Sequence, residues 1–356
     1  MTSRPPDYKG KLISLEIARF IAAFCVATDH IASPLQSLGE GKPLYGFNLP
    51  PISSVLFFFV LSGFVIFTAH REDFGQIRRV PRYLWLRVCR IYPLYWISLV
   101  PMLYFLWVGC SHDYLVQIFN LSPLTPFGFR EINPPAWTLR FELSFYFIFA
   151  AMLLPYVGRA VMALWLLFIV WQWYPYLVLP LGSMEKHIHM PPGLVWHWFN
   201  SHDILFFCGM GAAALYARIQ PPARVLWPLL AASSVALVLF VRLDQWGFAY
   251  PPASREPFTG LSFAAVIFTL AALERGGHLR LHRRWAVLGA MSYPFYLLHP
   301  APLFLFNVYV YFHPSAKHIA SPTVLFLGAM TAGLLLTALV TFLYDRPIQR
   351  VARRLV

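Results

Sequence analysis

The sequence predicts an all-α fold: a polytopic transmembrane helical bundle of about ten spans with both termini cytoplasmic. Three observations predict it. Of 356 residues, 58% are hydrophobic, 17% aromatic and only 12% charged, against about 25% charged in soluble domains. Mean hydropathy is +0.58. The apolar residues fall in runs of spanning length, and the cations fall between those runs on alternate loops. A net charge of +13 in a soluble protein would suggest nucleic acid. Here the placement of the cations follows membrane topology, and no nucleic-acid partner is expected.

The segments follow in order. The first, 12–33, carries Glu16, Arg19, Asp29 and His30 and lacks a small-x-small cleavage site, so it reads as a retained span rather than a signal peptide. The second, 51–69, contains the unbroken run FFFVLSGFVIF. The third, 91–110, places Pro93 in its first turn, where a missing amide costs nothing. The fourth and fifth are 137–157 and 160–180. Segments 203–217 and 259–274 are short for a span, and 226–243 lies between them. The ninth, 287–311, contains His299-Pro300, where the proline bends or breaks the helix. The tenth is 323–344. An even number of spans puts both termini on one side. Twenty of the 28 Lys and Arg then lie on that side and five on the other, which makes it the cytoplasm. The outer loops, 34–50, 111–136, 181–202, 244–258 and 312–322, are poor in charge. No linker or repeat stands out, and 1–356 reads as a single membrane domain without a separate soluble one. Cys25, Cys89, Cys110 and Cys208 are scattered and read as small core residues, with no disulfide framework.

Chemistry concentrates in a few places. Arg19 and His30 are separated by ten residues, and eleven helical steps of about 100° bring them back to within about 20° of each other. They share one stripe, about 16 Å apart along the axis. A cation inside a membrane helix costs about 2.5–3.5 kcal/mol, so its retention asks for a reason. Histidine suits proton transfer near neutral pH; the alternative is that Arg19 snorkels and His30 caps the outer end. Ser62 and Gly63 read first as packing residues. The basic stretch from Arg71 to Arg90 forms an electropositive mouth, with Arg87 and Arg90 on adjoining positions of one helix face. Topology alone also favours basic residues there. Tyr92, Tyr95 and Trp96 look like an interfacial belt. Glu142 is an intramembrane carboxylate and a functional candidate by default, a salt bridge between helices being the alternative. Arg140 lies on another face. His299 could line a cavity near His30 or hydrogen-bond a carbonyl freed by Pro300, and Trp137 reads first as a belt residue or packing. Glu185, His187, His189, His197, His202 and Asp203 crowd one outer loop, but their spacing fits no zinc pattern, and no metal site is assigned.

The motifs LEIARFIAAFCVATDH (15–30), FFFVLSGFVIF (57–67), RVCRIYPLYW (87–96), WTLRFELSFY (137–146) and SYPFYLLH (292–299) resemble, in this order, the acyltransferase type 3 family of integral membrane O-acyltransferases. Two departures are mild: LEIAR stands where the family opens with a Leu-Asp-Gly-Leu-Arg-like stretch, and the acid-x-Pro element near the end reads Asp345-Arg346-Pro347. The resemblance implies transfer of an acyl group, most often acetyl, from cytoplasmic acyl-CoA to a hydroxyl of an envelope or exported glycan or glycolipid, in the bacterial inner membrane. Acyl-CoA is then a co-substrate, and no tightly bound cofactor is expected. By this reading His30, Arg19 and Glu142 are catalytic; Arg87, Arg90, Arg19 and Tyr92 hold the donor; Trp137 and His299 meet the acceptor. A transporter or flippase for a lipid-linked glycan or small anion is the alternative, with the polar stripe of the first span lining its pathway.

Overall fold

The first described helix is set in place by a residue 260 positions farther along the chain. In the computed structural model, which describes residues 11–36, 51–108, 133–178, 202–245, 255–315 and 320–356, Ile13–Gln36 form α1. The amides of Ile13 and Ser14 donate to the two carboxylate oxygens of Glu274, at 2.7 and 2.8 Å. A helix start leaves such amides without partners, and a carboxylate there also meets the positive end of the dipole. The remaining described helices are α2 (Pro51–His70), α3 (Val80–Val108), α4 (Trp137–Met152), α5 (Gly158–Val178), α6 (Asp203–Arg218), α7 (Ala223–Gln245), α8 (Arg255–Arg275), α9 (Ala286–Leu298), α10 (Pro300–Phe312), α11 (Pro322–Val340) and α12 (Arg346–Arg354). Among the described residues there is no strand.

Each expected segment contains helix in its described part, but the fourth, expected over 137–157, is helical only to Met152, and 153–157 form a turn. Among the described residues, four helical stretches are long and apolar enough to cross a membrane: Ala223–Phe240, Glu256–Arg275, Arg283–Phe312 and Pro322–Arg354. In α1 the polar residues Arg19, Asp29 and His30 dilute the apolar run, while α4 and α6 have only 16 residues each. The Arg283–Phe312 stretch is interrupted at His299, before Pro300.

Packing puts α1 at the centre, against α2, α8, α9 and α11. Its inward face is small: Ala23, Val26, Ala27 and Ile31 are fully buried. Among the described helices, α2 and α6 make the most extensive contact, for a local reason. A Cβ on Gly63 would collide with the Phe206 carbonyl, and one on Gly209 with the Val60 carbonyl, so the two backbones touch. In contrast, only 11% of the Ala223–Phe240 stretch of α7 is buried, against 61% of Glu256–Arg275 in α8; α7 is peripheral.

Helix α3 corrects two expectations. It begins at Val80, with Pro81 in its first turn, because no breaker separates Val80 from the apolar half. Pro93 therefore lies in the interior of the helix rather than in its first turn. A proline there deprives the carbonyl four residues back, that of Cys89, of its amide donor. Gln349 supplies one instead, its Nε2 donating to the Cys89 carbonyl at 2.8 Å. Gln349 belongs to α12, which a π-helical turn over Thr341–Asp345 sets against α3. Of the three residues read as an interfacial belt, Trp96 is exposed and Tyr92 half-buried, but Tyr95 is in the core.

Candidate active site

Five helices place polar side chains around one partly open cavity of about 130 Å³. Arg19 enters it from α1, Ser62 from α2, Arg87 and Arg90 from α3, Glu142 and Tyr146 from α4, and Ser292, Tyr293 and Tyr296 from α9. Apolar neighbours such as Phe58 and Leu139 close the walls.

Each arginine is held differently. Arg19 donates from Nε to Ser292 Oγ at 3.1 Å, and Ser292 donates to the Gly289 carbonyl at 2.8 Å. Glu16 Oε2 lies 4.0 Å from Arg19 Nη1. That carboxylate fits only because residue 289 is glycine; a Cβ there would strike it. Arg90 Nη1 is 3.6 Å from Asp345 Oδ2, and its guanidinium lies 5.1 Å from the Tyr293 ring centre. Arg87 lies over the rings of Tyr83 and Tyr146, at 5.3 and 5.5 Å, and donates from Nη2 to His70 Nε2 at 3.0 Å. Glu142 Oε1 accepts from Ser62 Oγ at 3.3 Å and from Tyr146 OH. Gly63 thus serves packing as expected, whereas its neighbour Ser62 serves the cavity.

His30 lies elsewhere. Its Nδ1 is 3.0 Å from His299 Nε2. His299 is fully buried, and its own Nδ1 is 3.1 Å from the Phe295 carbonyl. A carbonyl only accepts, so His299 carries its proton on Nδ1. Its Nε2, when the ring is neutral, accepts from His30 Nδ1–H. His30 is left with a free lone pair on Nε2. His299 thus meets a backbone carbonyl, but that of Phe295, which already accepts from the His299 amide and is not the one Pro300 frees; His30 is a second partner. The cavity stops one side chain short of this pair. Tyr296 lines it, and the Tyr296 ring centre is 6.4 Å from that of His299. The Tyr296 hydroxyl is tied to Thr138 Oγ1 at 3.0 Å and the Pro135 carbonyl at 3.2 Å.

The structure brings together Arg19, Arg87, Arg90 and Glu142 on one cavity, and His30 with His299 beside it. Tyr92 and Trp137 are not among the cavity's lining residues. The Tyr92 ring packs 5.8 Å from that of Trp96; Trp137 meets the rings of Phe141 and His202 edge-on. Arg140 is buried away from the cavity. Glu185, His187, His189 and His197 lie outside the described residues. His202 and Asp203 are described, and His202 Nδ1 is 3.6 Å from Glu256 Oε1; among the described residues no three His, Cys, Asp or Glu side chains could share a metal ion. Sequence reasoning missed Tyr146, Ser292, Tyr293 and Tyr296 as site residues. Tyr146 stands one turn after Glu142, a spacing that puts the two side chains together, and the other three lie inside the SYPFYLLH motif. His70 and Asp73 carried no such signal.

No curated protein and no solved structure matches the chain. A family model described as an acyltransferase domain matches residues 12–344. That span holds every cavity residue and both histidines, and the apolar helices that surround them are those of a membrane protein. The chain belongs to the acyltransferase type 3 family.

Proposed function

We propose that the protein transfers an acyl group, acetyl by preference, from cytoplasmic acyl-CoA to a hydroxyl of an envelope or exported glycan or glycolipid. The observation that carries this reading is the convergence of Arg19, Arg87 and Arg90 on one cavity, with the paired histidines one side chain beyond it. Coenzyme A is a polyanion on a long flexible arm, and arginine matches phosphate in charge and geometry. Arg87 and Arg90 take the phosphates at the cytoplasmic mouth, and Arg19 holds the arm farther in. A cavity of about 130 Å³ approaches the roughly 150 Å³ known to take a single benzene ring. That space suits a short acyl thioester better than a sugar. The acceptor accordingly approaches from the outer side, toward His30.

The chemistry then balances within these residues. The acceptor hydroxyl gives its proton to His30 Nε2 as its oxygen attacks the thioester carbonyl. The carbon–sulfur bond breaks, and the His30 proton passes to the departing thiolate. His299 fixes which His30 nitrogen is basic. General base catalysis of this kind is worth about 10²–10⁴ in rate. Tyr296 must swing aside for donor and His30 to meet. Ten spans, with both termini in the cytoplasm of a bacterial inner membrane, give the basic mouth access to the donor.

The test is mass spectrometry of envelope glycans from cells with and without the protein, and from cells carrying His30→Ala. The expected result is an acyl mass increment that needs the protein and vanishes in the variant at unchanged membrane levels. Glycan or anion movement across vesicles by the purified protein, with no covalent product, supports the transporter instead.

A further inference from the structure

One residue at the site belongs to none of the family motifs read above. His70 is the last residue of α2, beyond the apolar run that ends at Ala69, at the start of a polar connection containing Arg71, Glu72 and Asp73. Its Nδ1 is 2.8 Å from Asp73 Oδ2. Its Nε2 is 3.0 Å from Arg87 Nη2. A guanidinium has only donors, so Nε2 must be the acceptor and the ring must be neutral, with its single proton on Nδ1 shared with Asp73. Arg19 and Arg90 each lie near a carboxylate, Glu16 and Asp345. Arg87 is instead held by an uncharged acceptor and by two tyrosine faces. It is steered without being neutralised, which suits a group meant to meet an incoming anion.

Building on the acyl-CoA reading, we propose that His70 is a positioning residue that aims Arg87 at the phosphates of the donor and releases it when the ring is protonated. Protonation turns Nε2 into a donor. Two N–H groups, both on cations, then face each other at the distance where one accepted from the other. The charged groups facing His70 are Asp73, Arg82 and Arg87, with Arg79 3.8 Å from the far oxygen of Asp73. The aromatic neighbours are Tyr83 on α3 and Phe149 on α4, with ring centres at 4.9 and 6.4 Å. Burial holds the ring below the usual histidine range, the Asp73 hydrogen bond working against it. The sign follows: donor binding is full above this range and falls as pH drops through the His70 transition.

The experiment measures acetyl-CoA binding by the full-length protein in detergent micelles, without acceptor, between about pH 7.5 and about pH 4.5. Wild type is expected to lose affinity toward the limit of about tenfold per pH unit for one linked proton. His70→Gln keeps an acceptor for Arg87 and cannot be protonated; it is expected to bind at pH 7.5 within a few-fold of wild type and to show a shallower pH slope. His70→Ala is expected to bind weakly throughout. Acetyl-CoA titrates too, but equally for every variant, so the readout is the difference in slope. Equal slopes in wild type and His70→Gln overturn the proposal and leave the donor reading standing. No binding of acetyl-CoA by wild type at any pH overturns both.

Discussion

The cavity arginines illustrate how a membrane protein keeps charge in its interior. Each guanidinium is met by a separate arrangement: a serine braced on a backbone carbonyl for Arg19, a histidine and two rings for Arg87, an aspartate and one ring for Arg90. Removing a brace should therefore show in donor affinity before it shows in folding. Ser292→Ala takes away the acceptor of Arg19 Nε, and KM for the donor is expected to rise several-fold while membrane levels hold. Turnover and KM measured side by side check this. The paired histidines make a sharper case. His299→Gln retains a group able to accept from His30 Nδ1–H, whereas His299→Leu does not. Activity of the leucine variant is expected to fall by about 10²-fold or more, and that of the glutamine variant by much less. Equal loss in both would show that the histidine acts otherwise. Arg19 and His30 were legible because they share one helix and its 3.6-residue period. Their partners were not: Ser292 and His299 are 273 and 269 residues away along the chain. A period within one helix carries no information about which distant helix will lie against it.

At the scale of elements, two local rules are broken and each is repaired from another helix. Pro93 strips the Cys89 carbonyl of a donor, and Gln349 supplies one. The glycines of α2 and α6 forgo side-chain burial, and in return the two backbones touch. Gly209→Val puts branched carbon where the Val60 carbonyl lies. It is expected to destabilise the protein by about 1–3 kcal/mol, read as a lower unfolding temperature in detergent. Gln349→Ala should cost about 1–3 kcal/mol for a buried carbonyl left without a partner, in the same assay. The helical segments themselves were legible from hydrophobicity alone. Where α3 starts was not, because its first half is basic and was read as topology. Only the absence of a breaker between Pro81, which a first turn tolerates, and Tyr92 marks it as helix.

At the scale of the whole molecule, the asymmetry of Lys and Arg makes a claim that can be checked directly. Tags placed at each terminus in inner-membrane vesicles are expected to be cleaved by protease only when the cytoplasmic face is exposed. A terminus cut from the opposite face would overturn the even count of spans. The motifs single out Arg19, Arg87, Arg90 and Glu142 without saying that they share one cavity. The cavity takes side chains from five helices, and the bundle alone decides that these five stretches meet.

The hold of Glu274 on the first turn of α1 has a consequence for biosynthesis. The ribosome delivers α1 well before its clamp, which follows 260 residues later. That span, weakly greasy on account of its own polar stripe, must be kept by the insertion machinery until α8 and α9 arrive to receive it. Stalled chains ending short of residue 274 should therefore leave their leading helix extractable by alkaline carbonate, and chains carried through α9 should not.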